Sequence, residues 1–152
     1  MQEAPIVRLG TAADTETLVK FNIAMALETE GIELPAAVVT AGVRAMLSDP
    51  QRGFYAVAES RGASVGALMV TAEWSDWRNG FFWWIQSVYI VPTHRRRGIY
   101  RSLYQFVKEH AAGATQVCGF RLYVEQENDA AKQTYRTLGM VPTSYELYEE
   151  LI

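Results

Sequence analysis

Cysteine occurs once in these 152 residues, at Cys118, and histidine twice, at His94 and His110. A single cysteine excludes an intrachain disulfide and removes any reason to expect an oxidising compartment. Its neighbours read as a strand and no histidine is close in sequence, so the expected role is a small buried apolar side chain rather than a nucleophile. No Cys or His cluster has metal-ligand spacing, so no metal is expected. The N-terminal "MQEAPIVRLG" has no basic segment leading into an apolar core, and no later apolar run reaches membrane-spanning length. A cytoplasmic chain without a membrane partner is the expectation. Gly-x-x-x-x-Gly-Lys-Ser/Thr and Gly-x-Gly-x-x-Gly are both absent, which leaves a P-loop and a dinucleotide-binding turn without support. No linker, repeat or low-complexity stretch divides the chain, and its length suits a single domain spanning 1–152.

What is present is patterned. "APIVRLG" reads as a short strand, and the segment after it places Leu18, Phe21 and Met25 at helical spacing, with Thr11 or Asp14 as cap. Residues 28–34 read as loop, and Pro35 opens a second helix that Asp49 and Pro50 end. "GFYAVAES", "ASVGALMVTAEW" and "FFWWIQSVYIV" are rich in β-branched and aromatic residues, and the Asn79-Gly80 pair signals a hairpin between the last two. A helix from Gly98 to Gly113, a strand "GFRLYVE", a helix closed by Gly139 and a final strand in "VPTSYELYEELI" complete the order βααβββαβαβ. The fold class is mixed α/β (α+β).

Charge is the anomaly. The formal net charge is −3, and without Arg95, Arg96, Arg97 and Arg101 only 10 of the 14 basic residues would face 17 acidic ones. In "HRRRGIY" positive charge therefore gathers where a strand passes through Pro92 into a helix. The first N–H groups of a helix have no internal partners, and its dipole puts about half a positive charge there. Gly98 lets a ligand approach the backbone, while the guanidinium groups offer forked donors to phosphate oxygens. A pyrophosphate suits this turn. A nucleic-acid partner is disfavoured because the rest of the chain is acidic.

Thirty residues further on, Asn128, Ala131 and Tyr135 stand at i, i+3 and i+7 of a helix and face one way. "V-x-I-x-P-x-x-R-x-x-G-x" from Val88 to Ile99 and "N-x-x-A-x-x-x-Y-x-x-x-G-M" from Asn128 to Met140 together make the chain resemble the GNAT superfamily of N-acetyltransferases. That resemblance implies a mostly antiparallel mixed sheet with one splayed parallel strand pair. It implies acetyl-CoA as co-substrate, its pyrophosphate held by the turn of Arg95, Arg96, Arg97, Gly98, Ile99 and Tyr100, with Arg101 beside it. Pantetheine would lie along the backbone of Val88, Tyr89 and Ile90 like an added strand. Asn128 would hydrogen-bond the pantetheine arm, or serve as a helix N-cap, and the two roles are compatible. Tyr100 departs from the pattern, which has a small residue there. Either the turn opens around it, or its ring lies along the cofactor.

The reaction so implied is attack by a primary amine on the thioester. Tyr135 matches the family's general acid, since a phenol of reference pKa about 10 is protonated at neutral pH and can donate to the departing thiolate. A backbone N–H near Val88 or Tyr89 would polarise the acetyl carbonyl. Where some relatives carry a glutamate base, this chain has Trp84, and Gln86 on the same strand face is no base. Glu73 and Asp76 are the leading carboxylate candidates, with Glu28 and Glu30 behind them. Trp74 and Trp84, in a stretch that interleaves all four tryptophans with carboxylates, are candidates to receive a cationic amine, or simply to pack a hairpin. Exposed rings there would also suit a homodimer interface. The expectation is an acetyl-CoA-dependent N-acetyltransferase acting on a small-molecule amine. The alternative is a CoA-binding domain that senses acyl-CoA without catalysis.

Overall fold

The computed structural model describes residues 3–152. Contacts divide the chain into a first unit running to Leu122 and a second from Tyr123 to Ile152. The first unit holds a five-stranded sheet in sequential order: β1 (Ile6–Leu9), β2 (Phe54–Ser60), β3 (Ala63–Ser75), β4 (Gly80–Ile90) and β5 (Val117–Arg121). All neighbours pair antiparallel except β4 and β5, which run parallel. Helices α1 (Thr15–Glu30), α2 (Ala36–Ser48) and α3 (Ile99–Ala112) belong to this unit, and α4 (Asp129–Thr137) to the second. None of the described helices is long and apolar enough to cross a membrane.

Local chemistry accounts for the turns. Arg61 and Gly62 both take positive φ, the two-residue geometry that matches strand twist, and bring Ser60 opposite Ala63. Asn79 is likewise left-handed at the end of the loop that sets Ser75 opposite Gly80. The sheet's alternation then sorts the core. Tyr55, Val57 and Ala67 face Leu18, Val19 and Val43 of α1 and α2. On the other face, Phe54 and Trp83 meet His110 of α3 edge-on or tilted, at ring separations of 5.0 and 6.0 Å.

Three expectations need correction. Residues 28–30 are not loop but the last turn of α1, which runs on until Gly31 adopts the left-handed conformation that ends helices. Cys118 is exposed rather than buried, because among the described residues β5 has a strand neighbour on one side only. The final strand is not formed: residues 141–152 have no ladder partner among the described residues, and alternation alone does not make a strand.

The entry into α1 is pinned by charge. Asp14 is the buried charged residue of the core, and it takes two hydrogen bonds of 2.8 Å from the Arg8 guanidinium and one of 2.7 Å from the Thr11 N–H. Arg8 also reaches Glu59 on β2. The Arg8 hydrogen bonds hold the Asp14 carboxyl below its ordinary pKa against the opposing cost of burial. A depressed folded-state pKa contributes stability that is present above the unfolded value and lost as pH falls through the folded one. Asp14→Asn should therefore cost about 1–2 kcal/mol at neutral pH, since Glu59 keeps Arg8 partly paired. Thermal melts should show the gap between the two proteins closing below about pH 4. A gap that stays constant down to pH 2 would contradict the assignment.

Candidate active site

The site begins with a fault in β4. Tyr89 stands opposite Ala67 and Gln86 opposite Met69, so Ser87 and Val88 together face Leu68. Ser87 accommodates the extra residue at φ 51°, a left-handed value uncommon for serine. The bulge re-aims the backbone of Ser87 to Tyr89 at the point where β4 loses one neighbour. Parallel pairing to β5 ends with Trp84 opposite Arg121, while β4 runs on to Ile90 with β3 beside it. Along Ile85 to Ile90 the edge of β4 on the β5 side is thus not matched to β5.

That edge leads into the arginine turn. Pro92 starts a short 3-10 helix, Pro92–His94, and Arg96 and Gly98 follow at φ 61° and 78°. The α3 ladder begins with the Ser102 N–H on the Gly98 carbonyl at 3.0 Å, leaving the first-turn N–H groups at the helix mouth. A Cβ built on Gly98 would meet nothing within 4 Å, so the space above the turn is open to a ligand. Arg96, Arg97 and Arg101 are all exposed around it.

Arg95 does something different. Its Nε donates to the Ile90 carbonyl at 2.9 Å and its Nη2 to Glu28 Oε2 at 2.7 Å, with the guanidinium 5.6 Å from the Tyr89 ring centroid. The Tyr89 hydroxyl in turn donates to Glu28 Oε1 at 3.4 Å. Arg95 therefore braces the end of β4 against the last turn of α1, and Glu28 comes to the bulge end of β4. Sequence reasoning grouped Glu28 with loop carboxylates and missed this cluster. The signal available was Gly31, which as a helix terminator would have extended α1 through Glu28.

Tyr100, the misfit of the turn, leaves it along the helix. Its ring lies 6.1 Å from that of Tyr104 and within 5° of parallel, and Tyr104 meets Phe120 of β5 edge-on. The turn keeps its left-handed glycine with a large residue two places on, because that side chain stacks on the next turn of α3.

The remaining candidates scatter. Glu73 accepts a 2.8 Å hydrogen bond from Arg121, whose guanidinium covers the Phe82 ring at 3.5 Å. It stands opposite Phe82, five residues and about 17 Å along the strand from the bulge. Asp76 lies exposed in the β3–β4 loop, and Glu30 is exposed on α1. Gln86 donates to Thr71 Oγ1 at 2.6 Å. Trp74, opposite Phe81, belongs to the sheet face of Trp83, while Trp84 is on the other face, so the tryptophans form no common box.

In the second unit, Asn128 is a true N-cap: its Oδ1 accepts the Ala131 N–H at 3.1 Å and starts α4. Seven residues on, Tyr135 is half-buried, and burial pushes its hydroxyl above the usual phenol range. A hydroxyl so held stays protonated through neutral pH.

A family model described as the acetyltransferase (GNAT) family matches residues 21–140, from within α1 through the bulge and the turn to the end of α4. The chain belongs to the GNAT acetyltransferase family. Among solved structures, a possible acetyltransferase from Clostridium difficile 630 is 43% identical, covers 99% of each chain and superposes with a TM-score of 0.89. Two more distant GNAT-fold structures agree in fold. A predicted acetyltransferase with acetyl-CoA from Clostridium acetobutylicum is 17% identical at TM-score 0.78, covering 96% of both chains. AAC(6')-Iy in complex with the bisubstrate analog CoA-S-monomethyl-acetylneamine is 13% identical at TM-score 0.79, covering 99% of both. No curated protein matches. Membership of the GNAT family supports an acyltransferase and acetyl-CoA as its co-substrate.

Proposed function

We propose that this chain transfers the acetyl group of acetyl-CoA directly to a primary amine of a small molecule. The observation that carries the reading is the succession, along one stretch of chain, of the bulge at Ser87 and Val88, the β4 edge beyond Trp84, and the open turn at Gly98. The residues fit the co-substrate. Helix-mouth N–H groups with Arg96, Arg97 and Arg101 suit the pyrophosphate. The backbone of Val88, Tyr89 and Ile90 suits the amides of pantetheine.

The chemistry divides into three tasks. A neutral amine nitrogen attacks the thioester carbon, forming a C–N bond and a tetrahedral oxyanion. A bulge N–H turned out of the ladder donates to that oxyanion. As the C–S bond breaks, the sulfur leaves as thiolate and takes a proton from the Tyr135 hydroxyl, while the nitrogen loses one to water. Glu28, at the bulge end of β4, is better positioned than Glu73 or Asp76 to draw a cationic amine toward the site. Asn128 contributes to the pantetheine arm through the amide nitrogen that its cap bond leaves available.

The test pairs a calorimetric titration of CoA with an amine panel assayed for CoA release from acetyl-CoA. CoA binding with turnover of at least one amine is the expected result. Absence of CoA binding overturns the assignment, and binding without turnover of any amine favours an acyl-CoA sensor.

A further inference from the structure

Among the arginines of the turn, Arg95 is already engaged. Its Nε is committed to the Ile90 carbonyl at 2.9 Å, which fixes the plane of the guanidinium, and its Nη2 meets Glu28 Oε2 at 2.7 Å. Its partner is held from a second side. Tyr89 is 8% exposed, its ring packs 5.1 Å from that of Phe21, and its hydroxyl donates to the other Glu28 oxygen, Oε1. Glu28 is thus fixed from β4 and from the turn at once, beside the residues that follow the bulge of Ser87 and Val88. Tyr89 and Arg95 are the titratable or charged groups that meet its carboxylate among the described residues. On α1 itself Glu30 follows two places on, off the same face, and the last turn holds no basic residue.

This arrangement bears on a conflict within the reaction proposed above, on which the inference rests. The amine must reach the thioester neutral, yet a carboxylate near its approach favours the ammonium form. A lone opposite charge within about 4–6 Å raises an amine's pKa by about 1–3 units. Below that pKa each unit leaves about ten times less neutral amine, so a bare Glu28 would attract the substrate and disarm it. A guanidinium 2.7 Å away offsets much of the carboxylate's field at a third group, while both oxygens keep a lone pair that can accept an N–H.

We infer that Arg95 is a positioning residue for the acceptor side of the site rather than a phosphate ligand: paired with Glu28, it lets that carboxylate hold the incoming primary amine by hydrogen bond without trapping it as ammonium. Glu28 supplies direction, and Arg95 leaves the amine free to give its proton to water. The side chains of Arg95 and Glu28 are 43% and 40% exposed, so solvent screens the field and the effect falls at the lower end of the range, about one pH unit.

Turnover followed against pH tests this, with a primary amine from the panel whose own pKa lies near that of an α-amino group, about 8. The acid limb of kcat reports loss of the proton from the bound amine. Arg95→Gln leaves Glu28 uncompensated and should move that limb about one unit alkaline, lowering kcat about tenfold at pH 7 and lowering KM for the amine with it. Arg95→Lys keeps the charge and should restore the parent limb. Glu28→Gln should raise KM, and adding Arg95→Gln to it should leave the limb where Glu28→Gln alone puts it, because Arg95 acts through Glu28. CoA affinity by calorimetry should stay within about threefold throughout. A limb unmoved in Arg95→Gln, a shift that persists without Glu28, or one that Arg95→Lys fails to restore overturns the inference and leaves acetyl transfer standing. A loss of CoA affinity in Arg95→Gln that Glu28→Gln does not share returns Arg95 to the pyrophosphate and overturns it too. A parent protein that turns over no amine takes the inference down together with the proposed reaction.

Discussion

Tyr135→Phe should lower kcat about 10²-fold while leaving CoA affinity within about twofold of the parent protein, because general acid catalysis contributes on that scale and the ring itself is kept. The position of the proton decides the size of the effect. A thiolate leaving group has an ordinary pKa near that of cysteine, about 8.5, so protonating it late in C–S cleavage is favourable from a donor that is still protonated at neutral pH. Burial raises the Tyr135 hydroxyl further. A raised pKa places deprotonation on the alkaline side, so activity that depends on the protonated phenol persists through neutral pH and falls only above about pH 10. The variant should lack that alkaline fall while melting at the parent temperature. Equal kcat values for the two proteins would remove Tyr135 from the chemistry. A parallel loss of CoA affinity and thermal stability would assign it to packing instead.

The motifs that were legible in the sequence share a physical property: each is a local requirement met by a residue type. Gly98 marks a left-handed position before a helix, Asn128 a cap, and the pair Asn79-Gly80 a reversal, and all three take those places. The element order was readable for the same reason up to α4, since helical and strand periods are properties of adjacent residues. What was not legible depends on tertiary register. "QSVYI" contains no glycine or asparagine to announce a bulge, yet Ser87 is left-handed because β3 supplies one residue where β4 supplies two. Glu28 is drawn to Arg95 across 67 positions, and only the packing of α1 beside the end of β4 brings the pair together. The aromatic stretch 74–84 misled in the opposite direction. Its rings are close in sequence, but the pleat sends Trp83 and Trp84 to opposite faces. The unformed strand in 141–152 follows the same rule: periodicity describes a face, and a strand also needs an edge to pair with.

Gly53→Ala should be the most destabilising small substitution in the first unit, costing more than about 3 kcal/mol and lowering the melting temperature by roughly 10 °C. Gly53 precedes β2 at φ 139°, a conformation that side chains of L-residues rarely adopt. Space aggravates the strain. A Cβ at this position would stand 1.9 Å from the Val70 carbonyl oxygen and 3.0 Å from its carbon, both backbone atoms of β3. Backbone in the middle of a sheet cannot rotate aside as a side chain does. Relief requires the start of β2 to move away from β3, beginning at the pair Phe54 and Val70 and disturbing the contact of Phe54 with His110. Gly31 is the control that separates strain from collision. It is also left-handed, at φ 65°, but an added Cβ there meets nothing within 4 Å. Gly31→Ala should therefore cost only about 1 kcal/mol, the price of the conformation alone. Denaturant titrations of the two variants should differ by at least about 2 kcal/mol. Equal losses would mean that β2 relaxes freely at its first residue and that the sheet margin near Val70 is softer than its geometry indicates.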